Sequence, residues 1–84
     1  MLGSMAQRDI SAAVLDALTT RLPNDGVPLV DHVEVSRGWG NIHFVSICSG
    51  IGRHDAGDRL EETIHRTVSG VMGSHRHVTR IIWA

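Results

Sequence analysis

The chain has 84 residues, and its hydrophobic fraction of 42% is typical of a folded globular protein rather than a disordered one. The formal net charge is -1 and all eight basic residues are scattered arginines, which argues against binding to nucleic acid or an acidic membrane. No long apolar run is present, so we expect no membrane insertion. A single cysteine forms no internal disulfide, which favours a reducing compartment, the cytoplasm.

Residues 1–4 contain Gly-Ser and precede a second methionine, so we interpret them as a cloning scar. Residues 5–84 then form one small domain. Its first predicted element is a helix that Asp9 caps, with an apolar stripe at helical spacing: Ile10, Val14, Leu15, Leu18 and Leu22. Pro23 ends this helix, and residues 23–26 have the composition of a turn.

Two strands are predicted next, over residues 30–36 and 42–48, joined by a hairpin connection whose glycines can adopt positive φ. The second strand has apolar residues on both faces. We expect one face to pack inward with Ile42, Phe44 and Cys48. The opposite face would lie open and form a homodimer interface with His43, Val45 and Ile47.

A second helix is predicted to start at Asp55 or Asp58, because Asp58 and Glu61 have the spacing of a capping box. Its apolar stripe is Leu60, Ile64, Val68, Val71 and Met72, and Gly73 is its predicted C-cap. A last strand covers residues 77–83. The element order predicts an α+β fold: an αββαβ two-layer sandwich with a three-stranded sheet and two helices on one face.

Six histidines in so short a chain suggest binding of zinc or another divalent transition metal. His75 and His77 have strand spacing, so their side chains can lie on one face and share an ion. Further ligands would have to come through the fold, from His54, Asp55, His32 or Cys48. The alternative is that the histidines are scattered surface residues and that no cofactor is bound.

Cys48 is a second candidate, since it lies near Gly50 and Gly52 where backbone amides could stabilise a thiolate, and His54 is a nearby base. The alternative is a buried, inert thiol. The spacing of the glycines matches neither a dinucleotide-binding loop nor a P-loop. Trp39, between two glycines, either packs over the edge of the sheet or contacts a partner.

The element order, with His32 opening the first strand, resembles the cytoplasmic domain of cation diffusion facilitator transporters over residues 30–83. The resemblance rests on residues 32–37 and 44–48, and it places Cys48 where that family often has a metal-binding histidine. Only His32 and Cys48 match the family's ligand positions.

Two other families have a similar order. Residues 14–18 followed by Asp25-Gly26 resemble the opening of Nfu-type iron–sulfur scaffold domains, but Ile51 replaces the second cysteine of their CxxC pair. Residues 49–83 resemble the end of alkaline-shock family proteins, which supply no catalytic residues to transfer.

From these observations we expect a non-catalytic regulatory or protein-interaction domain that forms a homodimer or binds another protein. A metal-binding domain centred on His75 and His77 is the first alternative. A thiol enzyme centred on Cys48 is the second.

Overall fold

A computed structural model describes residues 7–22 and 29–84 and confirms the predicted α+β fold and αββαβ order. The elements are α1 (Gln7–Arg21), β1 (Val30–Arg37), a short 3-10 helix (Trp39–Asn41), β2 (His43–Ser49), α2 (Arg53–Met72) and β3 (His77–Ile82). The sheet is mixed, with β2 in the centre, antiparallel to β1 and parallel to β3. The proposed cloning scar and the turn at residues 23–26 lie outside the described residues.

The apolar stripe of α1 is confirmed. Ile10, Val14, Leu18 and Leu22 are buried, and Leu15 packs against them from a half-buried position. The prediction that Asp9 caps this helix was wrong, because α1 already includes Gln7. Asp9 therefore lies in the first turn, where its carboxylate interacts favourably with the positive end of the helix dipole.

The predicted facing of β2 was wrong. Val45 and Ile47 are fully buried under the helices, whereas Phe44 and Cys48 point to the other side of the sheet. The reason is the register with β1, which sets Val33 opposite Ile47 and Val35 opposite Val45. The apolar residues of both strands thus share one face, and α1 and α2 cover it.

The stripe of α2 is confirmed, with Ile64, Val68 and Met72 buried. Gly73 is the predicted C-cap and has a φ of 60°, a conformation that glycine adopts without steric cost. The predicted start was wrong: α2 begins after Gly52, and no side chain caps it. Gly57, at φ 74° and ψ 170°, interrupts the helix between the two predicted caps.

One hydrophobic core joins both helices to the inner face of β1 and β2. Its fully or nearly fully buried members are Ile10, Val14, Leu18, Leu22, Val33, Val45, Ile47, Ile64, Val68 and Met72. Among the described residues, no helix is both long and apolar enough to cross a membrane.

Two isoleucines test which side of the sheet is the core. Ile47→Ala removes a fully buried side chain and should lower the free energy of unfolding by about 2–5 kcal/mol. Ile82→Ala, on the neighbouring strand but on the uncovered side, should cost about 1 kcal/mol or less. Urea denaturation in dilute solution measures both, and equal losses would contradict the facing described here.

Candidate functional site

The side of the sheet without helices, which we call the open face, is a grid of three residues from each strand. Strand alternation places them there, and the strand register aligns them in three rows across the sheet. From one end of β2 to the other, the rows are Ser36–Phe44–Val78, Glu34–Ser46–Arg80 and His32–Cys48–Ile82.

Large apolar side chains remain exposed on the open face. Phe44, Val78 and Ile82 keep 42%, 50% and 42% of their surface in solvent. The Phe44 ring lies against Gly38, where an added Cβ would come within 2.8 Å of Cδ2 and closer still to Cε2. Gly38 thus leaves room for the ring to lie along the sheet. A shallow groove runs beside this ring between Ser36 and Arg80.

The middle row carries opposite charges on either side of a small residue. Glu34 on β1 and Arg80 on β3 are exposed, with Ser46 between them on β2. The backbones of Glu34 and Arg80 lie two strand spacings apart, roughly 10 Å. None of the ion pairs among the described residues involves Arg80.

The third row brings together two of the predicted metal ligands. His32 and Cys48 are paired across β1 and β2, and Nε2 of His32 lies 3.6 Å from Sγ of Cys48. The same Nε2 lies 3.4 Å from a carboxylate oxygen of Glu34, and Nδ1 lies 4.0 Å from Asp31. Both side chains of the pair are accessible from the open face.

An adjacent thiol and imidazole can share a proton, bind a metal, or form a catalytic pair. Cys48 was predicted to end the second strand, near backbone amides around Gly50 and Gly52 that could stabilise a thiolate. It lies instead inside β2, whose backbone groups pair with β1 on one side and β3 on the other. The backbone amides next to the thiol are therefore hydrogen-bonded within the sheet. This argues against an enzyme site in which those amides stabilise an oxyanion.

His75 and His77 come together with His43 at the opposite end of the sheet. Nδ1 of His75 donates to the Met72 carbonyl at 3.1 Å, and Nδ1 of His77 donates to the His75 carbonyl at 2.9 Å. These bonds leave each Nε2 as the acceptor nitrogen, and Nε2 of His77 lies 3.4 Å from the Ser69 hydroxyl, which can donate to it. His43 faces His75 edge-on, with ring centroids 6.2 Å apart, and its buried Nδ1 has no hydrogen-bond partner in the described part of the chain.

His54 and Asp55 join neither the His32–Cys48 pair nor the group of His43, His75 and His77. They lie exposed in the first turn of α2, and the length of that helix separates them from His75 and His77. Within residues 7–22 and 29–84, no group of three or more His, Cys, Asp or Glu residues is arranged to hold a metal ion.

Arg53 at the start of α2 lies between two acidic residues of that helix and Trp83, which follows β3. It lies 2.8 Å from Asp58 and 3.0 Å from Glu61, and its guanidinium lies 5.7 Å from the ring centre of Trp83. The hydrogen bond to Asp58, reinforced by the charge of Glu61, raises the pKa of Arg53 above its ordinary value. The contacts of Arg53 with Asp58, Glu61 and Trp83 were not predicted from the sequence. The alignment of Glu34 with Arg80 across the sheet was not predicted either, because it depends on the strand register.

Trp39 is 90% exposed, so it does not pack over the edge of the sheet.

Comparison with known protein families, curated proteins and solved structures found no match for this chain. The three family resemblances therefore stay predictions. The function must be argued from the open face, which includes the His32–Cys48 pair, and from the group of His43, His75 and His77.

The position of Cys48 predicts its reactivity. Because its side chain lies on the open face, we expect a thiol-specific reagent to label the native chain about as fast as the urea-unfolded chain. A matched control is the double variant Cys48→Ser/Val45→Cys, which moves the thiol to a fully buried position on the same strand and should label far more slowly. Slow labelling of the wild type at dilutions where the chain is monomeric would place Cys48 in the core.

Proposed function

We propose that this protein is a non-catalytic interaction module that pairs with a second copy of itself through the open face. The observation that carries the proposal is the middle row, in which Glu34 and Arg80 flank Ser46 without contacting each other. The exposed apolar residues Phe44, Val78 and Ile82 around this row supply the surface that pairing would remove from water.

Charge complementarity selects one arrangement of the two copies. A two-fold axis that runs along β2, between two sheets packed face to face, sets β1 of each copy over β3 of the other. Glu34 then faces Arg80 of the second copy, and the reverse pair forms by symmetry. An axis across the strands would instead set Glu34 over Glu34 and Arg80 over Arg80, which repel.

The size of the open face predicts a weak dimer. Three strands about 4.8 Å apart, rising about 3.3 Å per residue, present a plan area on the order of 300 Å². This is well below the ~800 Å² per partner of a standard stable interface. The small side chains of Ser46 and Cys48 on the central strand favour close approach of the sheets, which ordinarily pack about 10 Å apart.

A second candidate function is the binding of zinc or a similar ion by His75 and His77. The observation that favours it is the pair of Nδ1 hydrogen bonds to backbone carbonyls, which orient both rings and leave both Nε2 atoms as acceptors. In calorimetric zinc titration, loss of binding in His75→Ala/His77→Ala, with binding retained in His54→Ala, would support this function.

Charge reversal tests self-association. We expect sedimentation equilibrium to show a concentration-dependent dimer, weakened roughly tenfold or more by either Glu34→Arg or Arg80→Glu, because each places like charges face to face. An equimolar mixture of the two variants should recover the dimer, since a heterodimer restores both opposite-charge pairs.

The matched controls are Glu62→Arg and Arg59→Glu, the same charge changes at exposed positions on α2. They should leave association unchanged. A chain that stays monomeric at every concentration would contradict self-association. A dimer that ignores both reversals would place the interface elsewhere, such as the free edges of β1 and β3.

A further inference from the structure

We infer that His32 and Cys48 form one half of a tetrahedral site for a zinc-like divalent metal, completed by the same two residues of a second copy. The inference rests on the proposed self-association through the open face. One chain supplies two ligands, the imidazole of His32 and the thiolate of Cys48.

The spacing of the pair fits two ligands of one ion. Zinc binds thiolate sulfur at about 2.3 Å and imidazole nitrogen at about 2.0–2.1 Å, so tetrahedral angles require a sulfur–nitrogen separation of about 3.6 Å. Nε2 of His32 and Sγ of Cys48 are 3.6 Å apart. The two atoms can therefore take adjacent corners of the tetrahedron with little rearrangement.

The two-fold axis that pairs Glu34 with Arg80 of the second copy also brings the second copy's two ligands to the site. Cys48 lies on β2, and the two-fold axis runs parallel to β2, midway between the two sheets. The rotation therefore sets Cys48 opposite Cys48 of the second copy. His32 reaches toward its own Cys48 from β1, and the rotated His32 reaches in from the opposite side. Two thiolates and two imidazoles thus surround a point on the axis, which is a complete Cys2His2 ligand set.

The surrounding carboxylates suit this role. Asp31 lies 4.0 Å from Nδ1 of His32, so its carboxylate would have to approach by about 1 Å to hydrogen-bond that nitrogen and orient the ring for metal binding through Nε2. Glu34, 3.4 Å from Nε2, would be displaced from that nitrogen by the ion. It would then be available to pair with Arg80 of the second copy, so metal binding and the charged row would reinforce each other.

Binding couples to protonation and to association. Each Cys48 thiol loses its proton as the metal–sulfur bond forms, so one ion releases two thiol protons when it binds the dimer. Two thiolates balance the charge of a divalent cation at the site. Because the ion binds only the paired state, it should tighten the dimer by roughly tenfold or more at saturation.

Cobalt(II) titration of the full chain under reducing conditions tests the inference, since tetrahedral thiolate–cobalt complexes have strong visible and near-ultraviolet bands. We expect these bands to saturate at one ion per two chains and zinc to displace cobalt. Cys48→Ser should abolish the thiolate band, and His32→Ala should abolish stoichiometric binding. His65→Ala, on exposed α2, should bind as the wild type does.

Sedimentation of the same samples separates this inference from the proposed function. Dimers that tighten with zinc in the wild type, but not in Cys48→Ser, would support both. Metal-free dimers that respond to the charge reversals, with no thiolate band, would overturn the metal site and leave self-association standing. A thiolate band at one ion per monomeric chain would overturn the shared site and, with no dimer at any concentration, self-association as well. Circular dichroism checks that each variant folds.

Discussion

Burial of Val45 and Ile47 beneath the two helices is the constraint on which the rest of the structure depends. Both residues lie on β2, the central strand, and side chains alternate along a strand. Once these two point inward, Ser46 and Cys48 must point outward. The registers with β1 and β3 then fix every other residue of the open face. Since both helices pack on one side, this face keeps its apolar and charged groups in solvent.

The sequence was sufficient for the element order and insufficient for the facing of β2. Helical stripes such as that of Ile64, Val68 and Met72 have one interpretation, because only one side of the helix is apolar. β2 is different: Phe44 and Cys48 on one side compete with Val45 and Ile47 on the other. Period-two alternation cannot choose between them. The choice comes from pairing with β1, whose apolar residues lie on a single face.

In the candidate site, too, the residue pair that is close in sequence was predicted, and the pair that meets only through strand pairing was not. His75 and His77 are visible as a pair in the sequence because they are two residues apart. His32 and Cys48 become neighbours only through the antiparallel register, and a slip of one residue would turn one of them to the other face. The connection that sets this register contains Gly40 and Asn41, both at positive φ. A glycine at positive φ was predicted for this connection, but the pairing register that results was not.

The proposed pairing and the proposed metal site rest on different rows of the open face, yet both require the same symmetry axis. Glu34 and Arg80 need the axis along β2 because the alternative axis opposes like charges. His32 and Cys48 need it for an unrelated reason: an axis across the strands would set Cys48 over Phe44, and the four ligands could not converge. Electrostatic and coordination geometry are thus compatible with the same operator. A face this small would gain from a shared ion, because metal–ligand bonds add affinity that apolar area of this extent does not provide.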